Sequence, residues 1–326
     1  MNHTYLPEGA LLSSAENREY LSSLSGLIRA MNEGAILEST VLLCDSALCL
    51  HVDLYGIRGV MERSEVVFCR PGEELKDIAV ITRVGKPVCF KVIGIEERNG
   101  EPVAILSRRA AQAECLHRYL SCLSAGDVIP ARVTHMEPFG AFVDVGCGVP
   151  SLLSVDSISV SRISHPSDRL SVGDSIYTVI RSVDPVSGRI FVSMRELLGT
   201  WEENAARFEV GQTVAGIVRS VESYGVFVEL APNLAGLAEL REGSADREIA
   251  RVGSFAAVYI KNIIPERMKI KLVLIDSYKG EPPKRELRYF VDCRRVTHMD
   301  RWLYSPPSSA KVVETMFEED ASGKPF

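Results

Sequence analysis

Two aromatic residues stand three positions apart around a glycine, and the same arrangement recurs later in the chain. Phe139 and Phe142 enclose Gly140, and Tyr224 and Phe227 repeat that spacing. An exposed aromatic ring gives an unpaired base a surface on which to stack, which contributes roughly 1–3 kcal/mol per base and tolerates any sequence. These pairs therefore indicate binding of single-stranded nucleic acid. The alternative is that both rings of a pair lie in a hydrophobic core.

Arginine residues around the first pair could neutralise the phosphates of a bound strand. They are Arg132, Arg181, Arg189 and Arg195. Single-stranded RNA fits such a surface best, because its unstacked bases can splay onto side chains. The net charge of −6 does not oppose this interpretation, since phosphate binding depends on local Lys and Arg and not on a global excess.

Short alternating apolar runs surround these residues, and Gly, Pro, Asp and Ser separate the runs, which is typical of a small all-β unit. Strands are expected near Val128–Met136, Phe139–Val145, Val149–Leu153, Ser175–Val183 and Arg189–Met194. Five strands with an irregular crossover after the third fit a closed Greek-key barrel of the OB type.

The barrel pattern occurs three times. Gly126, Phe139, Gly140, Phe142 and Leu152 recur at a constant offset as Gly211, Tyr224, Gly225, Phe227 and Leu237, which marks a repeat. An eroded copy precedes them, in which Leu48 and His51 occupy the two aromatic positions. The predicted fold class is therefore mainly β, with three tandem five-stranded OB-fold barrels joined by short helices.

These repeats divide the chain. The predicted order is an N-terminal helical segment (1–33), a degenerate barrel (34–108), a linker helix (109–125), a second barrel (126–194), a linker helix (195–210), a third barrel (211–277), a basic and aromatic extension (278–305) and a disordered tail (306–326). Ser13 and Glu16 have the spacing of a capping box, which predicts an amphipathic helix from about Ala15 to Met31.

The extension interleaves basic and aromatic residues, as RNA-binding surfaces often do. It includes Arg288, Arg294, Arg295 and Trp302. It either extends the RNA surface of the third barrel or forms an added strand with solvated charges.

Composition excludes several classes of protein. Of the 326 residues, 46% are apolar and 25% charged, and no apolar run approaches the ~20 residues that span a membrane. The N-terminus lacks a secretory signal, and the eight cysteines show neither disulfide nor zinc spacing, which favours a cytoplasmic protein with buried thiols and without a metal. No phosphate-binding loop, nucleophile elbow or paired carboxylate cluster is present, so we expect a binding protein without a cofactor rather than an enzyme.

The second barrel resembles the RNA-binding repeat of the bacterial small-subunit ribosomal protein S-one family. The resemblance rests on Pro-Phe-Gly-Ala-Phe-Val-Asp-Val-Gly (138–146), on Gly173-Asp174 before the fourth strand, and on Asp184 followed by Gly188-Arg189-Ile190 and Val192-Ser193. The same module occurs in polynucleotide phosphorylase and large endoribonucleases. Three copies joined by short helices are similar to the shorter members of the ribosomal family.

The resemblance implies an RNA face made of two aromatics, a His after the third strand, and an Asp and a basic residue around the last hairpin. In the second barrel these positions hold Phe139, Phe142, Ser154, Asp184 and Arg189; in the third, Tyr224, Phe227, Glu239, Glu266 and Lys269; in the first, Leu48, His51, Glu62, Glu97 and Glu101. The His is absent from all three. Degenerate copies in this family contact ribosomal proteins, which implies the same role for the first barrel.

Three functions remain open at this point. The first is a monomeric protein of the ribosomal S-one type that binds mRNA, associates with the small subunit and assists translation. The second is an RNA-binding regulator or stability factor that acts away from the ribosome. The third is a protein-interaction adaptor built from barrels that no longer bind RNA.

Overall fold

The computed structural model describes residues 5–70, 72–184, 188–239, 250–278 and 287–317. Within these ranges the chain forms three closed five-stranded barrels in tandem, which confirms the predicted fold class. The first holds β1 (Leu37–Cys44), β2 (Leu50–Leu54), β3 (Ile57–Met61), β4 (Pro87–Arg98) and β5 (Glu101–Ser107); the second holds β6 (Val128–Glu137), β7 (Gly140–Asp144), β8 (Pro150–Ser154), β9 (Ser175–Val183) and β10 (Ile190–Ser193); the third holds β11 (Thr213–Val221), β12 (Gly225–Ala231), β13 (Leu234–Glu239), β14 (Phe255–Ile264) and β15 (Lys269–Tyr278).

Each barrel closes in the same way. Its first three strands form an antiparallel meander, its fourth strand pairs with the first, and its fifth lies parallel to the third. The chain crosses over between the third and fourth strands, where the first barrel carries helix α3 (Asp77–Ile81) and the second carries α5 (Val155–Ile158). Side chains alternate along each strand, so that Ala141 and Val143 are buried inside the second barrel while Phe142 faces outward.

A β-bulge recurs at the same place in the fourth strand of every barrel. The bulged residues are Ile93 in β4, Arg181 in β9 and Lys261 in β14. A bulge leaves its extra residue unpaired and redirects its side chain. All of these residues are exposed, and the bulge therefore presents an apolar side chain on the first barrel and a cation on the second and third.

The N-terminal helical region is broken, which corrects the prediction of one helix from Ala15 to Met31. Helix α1 spans Ala15–Leu21 and helix α2 spans Leu24–Glu33. Ser14, rather than Ser13, caps α1 by accepting a hydrogen bond from the Asn17 N–H, and Ser23 caps α2 in the same way. A serine that caps a new helix ends the preceding one, since its own backbone is extended.

A buried ion pair joins the first two barrels. Glu8, in the segment before α1, accepts hydrogen bonds from Nε of Arg108 at 2.6 Å and from the Cys89 N–H at 3.0 Å. Its own N–H donates to Asp144 at 2.6 Å. Arg108 begins helix α4 (Arg108–Arg118), which links the two barrels. The N-terminal segment therefore contacts the first barrel, the linker and the second barrel at one point.

The second and third barrels are joined by the linker between them and by a buried charge cluster. The linker contains a 3-10 turn (Arg195–Leu198) and helix α6 (Trp201–Ala205). Glu229 of the third barrel is fully buried and pairs with Arg169 of the second and with Arg219 of its own barrel.

In the described part of the chain, no helix is long and apolar enough to cross a membrane.

The C-terminal extension packs between the second and third barrels. The Val128 N–H donates to the carbonyl of Thr297, and the Tyr304 hydroxyl donates to the carbonyl of Asn233 at 2.7 Å. A small sheet of β16 (Arg301–Leu303) and β17 (Glu314–Met316) closes it, and Phe317 is buried. The prediction of a disordered tail was therefore wrong for 306–317, while 318–326 lie outside the described residues.

Candidate nucleic-acid interface

A row of outward side chains crosses the second barrel. The row consists of His135, Phe142, Leu152 and Phe191, which are successive cross-strand partners on β6, β7, β8 and β10. Neighbours in such a row lie close enough to form one continuous surface. The structure thus places an aromatic and apolar strip on the outside of the barrel, where a nucleobase can reach it.

Phe139 extends this strip beyond the end of β7. It is 55% exposed, and its ring meets that of Phe142 edge to face with centroids 6.0 Å apart. His135 stacks on the other side of Phe142 at 6.2 Å. Gly140 permits the close approach of β8 to the start of β7, because a Cβ there would come within 2.6 Å of the Leu153 carbonyl oxygen. The rings of this pair therefore lie on the surface, which excludes the alternative of two core residues.

Cations flank the row at the β9–β10 side. Arg181 donates to Oγ of Ser157 at 2.8 Å, and Arg189 lies 3.7 Å from Glu73 of the first barrel while keeping 66% of its side chain exposed. The Asp184 N–H donates to the carbonyl of Arg189 at the base of the last hairpin. These guanidinium groups can meet the phosphates of a strand whose bases lie on the row.

Arg132 and Arg195 of the sequence-based site lie apart from the row, whereas Ser154 lies on the same face of β8 two residues after Leu152. Arg132 donates to the carbonyl of Glu8 at 3.0 Å, and Arg195 is engaged with Glu196 and Thr315. Ser154, at the end of β8, donates to Ser157 at 2.8 Å. The two arginines hold neighbouring segments in place, and the structure does not bring them to the aromatic strip.

The third barrel repeats the row with different chemistry. Its members are Ser220, Phe227, Leu237 and Lys271 on β11, β12, β13 and β15. Tyr224 is 59% exposed and meets Phe227 edge to face at 6.2 Å. Lys271 lies 3.3 Å from Glu239, and Lys269 is exposed at the start of β15. This barrel offers one aromatic pair with lysines in place of the arginines of the second barrel.

The equivalent row on the first barrel is apolar. It consists of Leu43, His51, Val60 and Ile105. Leu42 beside it is 60% exposed and the bulge residue Ile93 is 49% exposed. His51 is held by Asp45 at 2.8 Å. The row therefore lacks a cation and a stacked aromatic pair, and it exposes aliphatic side chains instead.

The C-terminal extension contributes charge but not its tryptophan. Trp302 is only 5% exposed and packs in the hydrophobic core between the second and third barrels, which corrects its assignment to an RNA surface. Arg288, Arg294 and Arg295 are exposed, and Arg288 lies over the ring of Phe290 at 5.1 Å. Among the residues that the structure describes, no group of His, Cys, Asp and Glu could hold a metal ion.

Sequence reasoning missed most of the row. Leu152 was used only as a position of the repeat, and His135 and Phe191 were not among the predicted site residues. One signal was available: Arg189 and Phe191 are two residues apart in a strand and therefore share a face. The cross-strand pairing that brings Leu152 beside Phe142 depends on register, which the sequence does not show.

Comparison with known proteins agrees with this geometry. The family described as S1 RNA binding domain matches residues 123–195. The small ribosomal subunit protein bS1 of Leuconostoc lactis is 33% identical over 251 residues, covering 73% of this chain and 56% of the relative. The protein of the same name from Staphylococcus aureus (strain COL) is 30% identical over 323 residues, covering 96% of this chain and 75% of the relative.

The chain does not span the whole of these relatives. A third, from Rhizobium meliloti, is 29% identical over 234 residues and is covered over 40% of its length. The matches nevertheless extend across the barrels and are not restricted to the second one. With the S. aureus protein covered over three quarters of its length, the chain belongs to the family of small ribosomal subunit protein bS1.

Proposed function

We propose that this protein is a non-catalytic, cytoplasmic RNA-binding protein that holds single-stranded mRNA near the small ribosomal subunit and assists translation. The observation that carries the proposal is the aromatic pair of exposed Phe139 and half-buried Phe142, of which Phe142 lies in one row with Phe191, close to Arg189. Flat rings bind bases by stacking, and the guanidinium groups bind phosphates. No step of covalent chemistry is required, and no cofactor takes part.

RNA binding is concentrated in the second barrel and extends to the third. The second offers the aromatic strip with Arg181 and Arg189, and the third offers Tyr224 and Phe227 with Lys269. Glu239 lies beside Lys271 and reduces its attraction for phosphate. We therefore expect the third barrel to bind RNA more weakly than the second.

The first barrel is the candidate for attachment to the small subunit. Leu43 of its row and the bulge residues Leu42 and Ile93 beside the row are exposed, at the positions where the second barrel carries His135, Thr134 and Arg181. Exposed apolar patches of this kind mark protein contacts rather than phosphate contacts. The monomeric protein would dock through this barrel and leave the other two for mRNA.

Two experiments test the proposal. Titration of an unstructured RNA oligomer at two salt concentrations should show binding that weakens as salt rises. The reason is that Lys and Arg side chains that neutralise phosphates release the counterions condensed on the RNA. Absence of RNA binding would leave an adaptor function. Sucrose-gradient fractionation of a cell lysate should show the protein migrating with small subunits; RNA binding without this comigration would favour a regulator that acts away from the ribosome.

A further inference from the structure

A cleft of about 670 Å³ separates the first and second barrels. This volume lies within the ~300–1,000 Å³ range of sites that take small organic ligands. One wall belongs to the second barrel, and helix α4 forms the end. The other wall belongs to the crossover of the first barrel and consists of Val67, Phe68, Arg70, Glu73, Ala79 and Arg83. Both walls contribute aromatic rings and arginine side chains to the cleft.

The wall from the second barrel is a continuation of the aromatic row. Phe142, Leu152 and Phe191 all line the cleft. Phe142 is also the ring against which Phe139 packs outside the cleft. A strand whose base stacks at Phe139 therefore has its next nucleotides at the mouth of the cleft.

The wall from the first barrel brings an aromatic ring and guanidinium groups to the same space. Phe68, Arg70 and Arg83 line it. Arg70 donates to the carbonyl of Gly188 at 2.9 Å, next to Arg189 of the second barrel. Nε of Arg83 is buried and has no hydrogen-bond partner among the described residues. The cleft thus presents basic groups from both barrels.

Two carboxylates that line the cleft, Glu8 and Asp144, are already engaged in buried contacts within the protein. Glu8 is paired with Arg108 through both oxygens, at 2.6 and 2.9 Å. Asp144 accepts hydrogen bonds from the N–H groups of Glu8, Gly146 and Gly148. Glu73 differs from them, because it is exposed and lies 3.7 Å from the Arg189 guanidinium. It occupies the place that a phosphate would take.

We propose that this cleft takes up one unpaired nucleotide of the RNA strand that crosses the second barrel. The base enters between Phe68 and the Phe142–Phe191 strip, and its phosphate replaces Glu73 as the partner of Arg189, with Arg70 beside it. The first barrel then contributes to RNA binding through Phe68 and Arg70, although its own row lacks an aromatic pair. This inference rests on the proposed RNA-binding function and adds a composite site to it.

Glu73→Gln is the sharpest test, because it predicts a gain that damage to the fold cannot imitate. Removing this competing carboxylate should tighten binding of an unstructured RNA oligomer by about two- to fivefold, as expected for one exposed ion pair. Glu74→Gln is the matched control, since Glu74 is an exposed neighbour of Glu73 and its substitution removes the same charge. Equal affinities for the two variants would overturn the proposal.

Arg70→Ala tests whether loss of a cleft arginine lowers RNA affinity. It should weaken RNA binding several-fold more than Arg58→Ala, which removes an exposed arginine on another part of the first barrel. Thermal melting of both variants checks that the fold is retained. An Arg70 variant that is folded and binds no more weakly than the Arg58 variant would contradict the composite site.

Photocrosslinking locates the nucleotide directly. An oligomer that contains 4-thiouridine should crosslink to the tryptic peptide that carries Phe68, as well as to peptides of the second barrel. Crosslinks confined to the second and third barrels would overturn the composite site and leave the proposed function intact. An oligomer that neither binds nor crosslinks would refute both.

Discussion

Phe139 and Tyr224 occupy the same turn of their respective barrels, and each stands edge to face against a partly buried second ring. The outer ring is the more exposed of each pair, because it precedes the strand while its partner lies within it. An exposed apolar ring costs free energy of hydration, and stacking of a base recovers it. At the scale of single residues, the site is an exposed ring supported by a second ring.

Phe139→Ala should therefore weaken RNA binding by about 1–3 kcal/mol without lowering the melting temperature. The ring contributes little to the barrel core, since more than half of it is exposed. Isothermal titration with an unstructured oligomer and a thermal melt measure the two quantities. Val172→Ala, an equally exposed apolar residue of the same barrel, is the control and should change neither. Unchanged RNA affinity in a folded Phe139 variant would remove this ring from the site.

The buried Glu8 carboxylate makes a prediction about pH. Burial opposes its ionisation, but Arg108 and the Cys89 N–H outweigh burial and hold the pKa of Glu8 below its ordinary value of 4.5. A carboxyl with a lowered pKa in the folded state contributes stability above its unfolded pKa, and this is lost as pH falls through the folded value. Stability of the wild type should accordingly decrease in acid partly through this group.

Glu8→Gln leaves Arg108 buried without its charge partner and should cost about 3–5 kcal/mol at neutral pH. The difference from the wild type should narrow below pH 4.5, as the wild-type carboxyl takes up its proton. Urea unfolding at neutral and acid pH measures both effects. A difference that stays constant across this range would show that the Glu8 charge does not stabilise the fold.

At the scale of elements, alternation of apolar residues was sufficient to predict the strands of the second barrel. Ser175–Val183 was predicted with the bounds that the structure gives to β9, and the other four strands differ by one residue at one or both ends. The break between α1 and α2 was missed, because the local pattern does not show which of the adjacent Ser22 and Ser23 caps a second helix. Strand alternation is a local property, whereas the choice between adjacent caps depends on packing.

The candidate site was predictable only in part, because it depends on contacts between residues that are distant in sequence. The Phe139 and Phe142 spacing was visible in the sequence, but the row joins residues from distant strands through register. The extension illustrates the limit most clearly. Its interleaved basic and aromatic residues suggested a surface, yet Trp302 and Tyr304 are buried against the second and third barrels through contacts with residues far away in sequence.

Trp302→Ala should consequently reduce stability by about 3–5 kcal/mol, the usual cost of removing a large core side chain. RNA affinity of the remaining folded protein should stay unchanged. Urea unfolding and RNA titration measure the two effects. Val312→Ala in the same extension is exposed and should alter stability by less than about 0.5 kcal/mol. Loss of RNA affinity by a Trp302 variant that is still folded would restore this residue to the RNA surface.

At the scale of the whole molecule, the three barrels share a fold and differ in the chemistry of one face. The bulge residue changes from Ile93 to Arg181 to Lys261 along the chain, and the row changes with it from aliphatic to aromatic and basic. A chain with a net charge of −6 can thus keep its phosphate-binding groups on two of its barrels.

The salt dependence of RNA binding should report the number of these groups. Among the residues that the structure describes, the solvent-accessible cations near the two rows include Arg181, Arg189, Lys261, Lys269 and Lys271. If each neutralises one phosphate of a single strand, the logarithm of the association constant should fall with the logarithm of salt concentration with a slope of about −3 to −4. Titrations between low and moderate salt measure the slope. A slope near zero would indicate that phosphates are not bound.

The C-terminal extension also determines how this protein can be divided. Val128 of the second barrel, Trp201 of the linker and Val258 of the third barrel belong to the same hydrophobic core as Trp302. A fragment cut at the end of the third barrel would leave that shared interior open to water. We therefore expect that a stable fragment containing the second and third barrels must extend through residue 317, and that single excised barrels would be poor substitutes for the intact chain.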